Sequence, residues 1–149
     1  MSYLFIVLSY LIGSINFAYL VAKYKKLDIS SSGSGNPGTS NVMRTIGKKY
    51  AAIVLIGDVL KGFLPILLFS ENMLLCGFAA VIGHIYPIFY KFKGGKGVAT
   101  YIGVYIAFST LNPISYDLFE NSYFLFLNIP VLAAFYFVVF KISRISAIA

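Results

Sequence analysis

Polar residues are confined to a few short stretches of this chain, and the sequence between them is apolar over lengths of about twenty residues. Five windows stand out: Tyr3 to Ala22, Ala51 to Phe69, Met73 to Tyr90, Val98 to Tyr116 and Ser122 to Phe140. A helix of about 20 mainly apolar residues crosses a hydrocarbon core of roughly 30 Å. An isolated strand in lipid leaves its backbone groups unsatisfied, and no window alternates like a lipid-facing barrel strand. The pattern predicts an all-α, polytopic membrane helix bundle of about five transmembrane helices, forming a single integral membrane domain over 1–149. The first window has no Lys or Arg before it and is followed by Lys23, Lys25 and Lys26. A cleaved signal peptide has the reverse order and a shorter apolar core. A retained helix with its N-terminus outside is expected.

Composition removes the alternatives. Hydrophobic residues make up 59% of the chain and charged residues 11%, against about 25% charged in an ordinary soluble domain. A soluble core of this length could not hide so much apolar surface, and 17% aromatics exclude disorder. Cys76 stands alone, so no disulfide framework exists. One Cys and one His cannot build a zinc site. The net charge of +7 follows from topology. With five spans, the segments 23–50, 91–97 and 141–149 fall inside, and they carry every Lys and Arg except Lys61. The outside turns carry Glu71, Asp117 and Glu120. This is the positive-inside arrangement, so the charge marks a cytoplasmic face and not a nucleic-acid partner.

Three features have chemical potential. The segment Ser34-Gly35-Asn36-Pro37-Gly38-Thr39-Ser40-Asn41, with Arg44 after it, combines glycines that let backbone N–H groups converge with hydroxyl and amide side chains. Such concavities bind phosphate, and an Arg can hold phosphate oxygens bidentately. The same composition would also serve a flexible linker. The segment Phe92-Lys93-Gly94-Gly95-Lys96-Gly97 places two ammonium groups around exposed backbone at the start of a helix, a phosphate-binding arrangement. It lacks the Ser or Thr and the glycine spacing of a Walker A loop. The lysines would equally serve as anchors to anionic lipid. Finally, Asp58, Lys61 and His84 fall inside predicted spans, where ionisable groups are costly and point to function. At 1.5 Å per residue, Asp58 and His84 both lie about 10 Å below the inner face. Their simplest alternative role is a structural ion pair. Both glycine loops open onto that face.

These residues resemble a known family. Ser32-Gly33-Ser34-Gly35-Asn36-x-Gly38-x-x-Asn41-x-x-Arg44 is similar to the first motif of the bacterial acyl-phosphate:glycerol-3-phosphate acyltransferases (PlsY). Gly57-Asp58-x-x-Lys61-Gly62 resembles that family's second helix. Gly83-His84-x-x-Pro87-x-Phe89-x-x-Phe92-Lys93-Gly94-Gly95-Lys96-Gly97-Val98-Ala99-Thr100 resembles its second motif.

The resemblance implies a multi-pass enzyme of phospholipid synthesis in the bacterial cytoplasmic (inner) membrane. It would transfer a fatty acyl group from acyl phosphate to glycerol 3-phosphate, without acyl-CoA, metal or cofactor. The expected catalytic residues are Ser34, Arg44, Lys96 and His84. Phosphate would be bound through Gly35, Asn36, Gly38, Asn41, Lys93, Gly94 and Gly95, with Asp58 and Lys61 in support. Two departures are visible. Asn16 stands where the family usually has Pro in a Gly-Ser-x-Pro run, and no His-x-x-Asn-Ile-x-Arg third motif is present. Full members have seven helices. The competing readings are a truncated, inactive or partial module that binds glycerol phosphate or membrane lipid, or pairs with a separately encoded C-terminal segment, and a small transporter. The transporter is disfavoured because the polar groups gather at one depth.

Overall fold

The computed structural model describes residues 2–69 and 72–111, and every regular element among them is helical. The order is α1 (Ser2–Ser14), α2 (Phe17–Tyr24), α3 (Thr39–Thr45), α4 (Lys48–Leu68), α5 (Met73–Ile85), a 3-10 turn (Ile88–Tyr90) and α6 (Val98–Leu111). Three stretches, Tyr3–Tyr24, Lys48–Leu68 and Met73–Tyr90, are long and apolar enough to cross a membrane. Val98–Thr110 is a shorter apolar helix. These three stretches overlap the first three expected windows, and of them only Lys48–Leu68 is a single continuous helix. The fourth is described only to Leu111. The fifth, 122–140, lies outside the described residues together with Asp117, Glu120, Asn128, Lys141 and Arg144, as does Glu71.

The first window is not one continuous helix. The backbone breaks at Ile15 and Asn16, and a second helix starts at Phe17. The cause is local. Asn16 is extended (φ −100°, ψ 105°), and its Oδ1 accepts the Tyr19 N–H at 3.2 Å, the N-cap bond that favours Asn at a helix start. A break in a spanning segment is tolerated only where protein covers it. Here Lys61 of α4 donates from Nζ to the Ile15 carbonyl at 2.6 Å. Ser14 bonds within its own helix, to the Tyr10 carbonyl at 2.8 Å, and does not reach across to a neighbour.

Residues up to Ala107 form one compact unit. Its helices meet at glycines. The backbone of Gly13 in α1 lies against Ala80 of α5, and Gly83 of α5 lies against the Tyr10 carbonyl of α1. Gly62 of α4 faces the Thr100 carbonyl of α6, and Gly103 faces that of Val59. Small residues permit this close backbone approach between helices in lipid. We expect Gly62→Ala, whose methyl would enter the Thr100 carbonyl, to cost about 1–3 kcal/mol, the usual penalty of overpacking. Thermal unfolding in detergent micelles should show the lower midpoint, and an unchanged midpoint would refute the contact.

A second cluster, made of Ala18, Val21 and Ala22 of α2, Ile29, Val42 of α3, and Ala51 and Val54 of α4, packs α3 and the segment before it against the base of α2 and α4. Leu4, Ile56, Leu60, Leu68, Leu74 and Phe78 are exposed, as befits surfaces that face lipid.

Candidate active site: two glycine loops over a buried ionic cluster

The first loop, residues 25–38, is held by hydrogen bonds, which the linker alternative does not require. Asp28 Oδ1 accepts the Ser30 N–H at 2.9 Å and the Ser30 hydroxyl at 2.6 Å, and the Asp28 carbonyl accepts the Ser32 hydroxyl at 2.7 Å. The Ser30 hydroxyl, then its N–H, holds the Asp28 carboxyl below the usual value. Gly33 and Gly35 have φ of +60° and +69°, which glycine adopts at little cost. Asn41 is buried beneath them. Its Oδ1 accepts the Ser34 N–H at 2.9 Å and its Nδ2 donates to the Ser32 carbonyl at 2.9 Å. The Asn41 amide thus shapes the loop, in which Ser34 stays exposed and Pro37 is buried.

The second loop begins after α5. Pro87 opens the 3-10 turn, Lys91 and Phe92 are left-handed (φ 53° and 59°), and Gly97 (φ 80°) leads into α6. The Gly95 N–H donates to the His84 carbonyl at 3.2 Å. A side chain on Gly94 would strike the His84 carbonyl, and one on Gly95 would strike the His84 imidazole. A methyl on Gly95 would also approach the Pro37 carbonyl at 3.1 Å. The two loops therefore meet at Pro37 and Gly95, with His84 beneath.

Below that meeting point lies an ionic cluster. Lys61 Nζ is 2.9 Å from Asp58 Oδ1, and His84 Nδ1 is 3.6 Å from the same oxygen, longer than a hydrogen bond. Asp58, Lys61 and His84 are 1%, 2% and 3% exposed. Asp58 and Lys61 share a face of α4 at i,i+3, and α5 supplies His84. The expected gathering of these three residues at one level is what the structure has. Their side chains are enclosed, whereas Ser34, Arg44, Lys93 and Lys96 are exposed.

Arg44, in the last turn of α3, and Lys96, from the second loop, interact electrostatically. Burial first, and Arg44 second, lower the Lys96 pKa from the ordinary lysine value. Both ion pairs found among the described residues involve Asp58, so neither Arg44 nor Lys96 is neutralised by a carboxylate there. Two like charges that interact beside glycine loops, with no carboxylate partner among the described residues, have the chemistry to attract an anion such as phosphate.

Sequence reasoning did not assign Asn16, Tyr19 or Tyr90 to this region. Asn16 Nδ2 donates to the Pro37 carbonyl at 3.3 Å. Tyr19 of α2 stacks on Tyr90 of the 3-10 turn, with centroids 4.5 Å apart and planes 7° from parallel. The available signal was an Asn interrupting an otherwise apolar window.

Comparison with known proteins identifies relatives of the chain. The family model described as glycerol-3-phosphate acyltransferase matches residues 3–149. The chain is 47% identical over 111 residues to the glycerol-3-phosphate acyltransferase of Aquifex aeolicus, covering 70% of this chain and 58% of that one. It is 53% identical over 112 residues to the enzyme of Exiguobacterium sibiricum, covering 71% and 54%. Among solved structures it is similar to PlsY, an integral membrane glycerol 3-phosphate acyltransferase, in its glycerol 3-phosphate form. That match has a TM-score of 0.67 at 44% identity and covers 74% of this chain and 62% of that one. A lysophosphatidic acid form of PlsY matches with a TM-score of 0.65. The chain spans about three fifths of the length of the relatives it matches.

Proposed function

The chain belongs to the glycerol-3-phosphate acyltransferase family, and from that membership we propose that it transfers an acyl group from acyl phosphate to glycerol 3-phosphate. The products are 1-acylglycerol 3-phosphate and phosphate, formed at the cytoplasmic side of the bacterial inner membrane. The observation that carries the reading is the meeting of the two glycine loops at Pro37 and Gly95, with the exposed Arg44 and Lys96 close enough to interact electrostatically and neither paired with a carboxylate among the described residues. Both substrates carry phosphate, and one of them carries an acyl chain suited to the apolar helix surfaces.

The chemistry demands little covalent work from the protein. The glycerol hydroxyl oxygen attacks the acyl carbonyl carbon, the new C–O bond forms, and the bond from that carbon to the bridging phosphate oxygen breaks. The departing phosphate takes that electron pair, and the hydroxyl proton leaves to a phosphate oxygen. What remains is positioning and stabilisation of developing negative charge. In this reading Arg44 and Lys96 hold phosphate oxygens, the Ser34 hydroxyl donates beside them, and Lys93 adds field. The Gly35-Asn36-Pro37-Gly38 and Gly94-Gly95 segments border the cradle, with the Gly35, Gly38 and Gly95 N–H groups already held by the Ser32, Asn36 and His84 carbonyls. Asn41 keeps the first loop in shape. Asp58, Lys61 and His84 support the floor under Gly95, which gives His84 a positioning role.

The partial coverage of the relatives supports a second reading, in which the chain binds glycerol 3-phosphate and needs a separate C-terminal segment for turnover. The test is purified protein in lipid nanodiscs with a long-chain acyl phosphate and glycerol 3-phosphate. Release of lysophosphatidate and phosphate supports the enzyme. Saturable glycerol 3-phosphate binding without turnover supports the second reading, and absence of both overturns the site.

A pH dependence follows from Lys96. Its ammonium form is disfavoured in the free protein, so it loses its proton below the ordinary lysine value of 10.5. A bound phosphate favours the charged form. Glycerol 3-phosphate affinity should therefore fall as pH rises through the lowered pKa, with proton uptake on binding above it. Titration calorimetry in alkaline buffers of differing ionisation heat measures both, and Lys96→Arg should flatten the profile.

A further inference from the structure

Asn16 is wholly buried and its side chain makes two bonds that pull in different directions. Oδ1 accepts the Tyr19 N–H at 3.2 Å and starts α2. Nδ2 donates to the Pro37 carbonyl at 3.3 Å, across 21 residues of sequence. That carbonyl is the point at which the first loop meets Gly95 of the second. The Asn16 backbone lies against the Tyr90 hydroxyl, and Tyr90, stacked on Tyr19, ends the turn from which the second loop departs. The residue before Asn16 offers its carbonyl to Lys61, which also pairs with Asp58 under the loops.

We propose that Asn16 is a positioning residue that sets the separation of the two phosphate-binding loops: its amide holds the Pro37 carbonyl against Gly95, and so places Ser34 and Arg44 relative to Lys96. The inference rests on the phosphate-site reading above, and it assigns to the helix break a role beyond capping. A capping residue alone needs only an acceptor at this position. The donor half of the amide has no function in the cap, yet it is buried and directed at a loop carbonyl. A buried carbonyl deprived of its donor is costly, so the loop would shift to find another partner.

The experiment separates the two halves of the amide. Asn16→Ser retains a good N-cap acceptor but is too short to reach Pro37. Asn16→Asp retains the acceptor and reverses the donor. Both are compared with the parent protein in nanodiscs by thermal unfolding, by glycerol 3-phosphate binding and by amide hydrogen exchange of segments 33–38 and 93–97. The expected result is faster exchange in both segments and a Kd raised about tenfold, the size of one lost buried hydrogen bond, in at least one variant that melts within a few degrees of the parent. Unchanged exchange in both segments for a variant with parental melting overturns the proposal. So does a Kd that weakens only in proportion to lost stability, as a purely structural residue would produce. If the parent binds no glycerol 3-phosphate, the phosphate-site reading fails, while the exchange measurement still decides whether Asn16 couples the loops.

Discussion

Asp58→Ala should destabilise the protein by about 3–5 kcal/mol, because removal of one partner strands buried charge. Asp58 is the acid in both ion pairs found among the described residues, and its Oδ1 faces Lys61 at 2.9 Å and His84 at 3.6 Å. Without it, the Lys61 ammonium retains, among the described residues, only the Ile15 carbonyl as a hydrogen-bond partner while remaining buried. Adding Lys61→Met should recover part of the loss, since the charge is then gone, although the Ile15 carbonyl loses its donor and full recovery is not expected. Unfolding midpoints of the parent, both single variants and the double variant close the cycle. An Asp58→Ala protein that melts with the parent would show that the cluster contributes nothing to stability.

The largest effect on activity should come from Arg44→Ala and Lys96→Ala. Each should lower kcat/KM by roughly a hundred- to a thousand-fold, the range seen when a single stabilising donor is removed from a reacting centre. The two losses should combine to less than their product if both side chains hold the same phosphate group. Arg44→Lys should restore little, because a point charge does not reproduce a bidentate guanidinium. Stability provides the control. Both side chains are exposed and repel each other, so removing either should leave the melting temperature equal or higher. A variant with full turnover would exclude its residue from the site. If the parent binds without turnover, the same comparison is made on glycerol 3-phosphate affinity.

The apolar stretches at 3–24, 48–68 and 73–90 were legible because length and hydropathy are summed over many residues, so no single substitution obscures them. The loops were legible because Gly33, Gly35, Gly94, Gly95 and Gly97 cluster where helices cannot continue. Asp58, Lys61 and His84 were legible because charge is rare in an apolar window. What the pattern did not reveal depends on contacts between distant residues. Asn16 reads as a polar intrusion until Pro37 is placed beside it. Asn41 reads as a direct phosphate contact, whereas its amide bonds Ser32 and Ser34. His84 reads as one of the catalytic residues, and that Gly95 lies over its ring could not be read from the sequence. The pairing of Gly13 with Ala80 and of Gly62 with Thr100 requires knowing which helices cross.

The bond from Lys61 to the Ile15 carbonyl also bears on biogenesis. A nascent chain delivers its first span to the bilayer before the second has been synthesised. Alone there, Ser2 to Tyr24 would carry an interrupted backbone, with the Ile15 carbonyl lacking Lys61 and the Asn16 Nδ2 lacking the Pro37 carbonyl. Full accommodation of that segment in lipid is thus tied to the arrival of α4, and the two segments should leave the translocon as a helical hairpin.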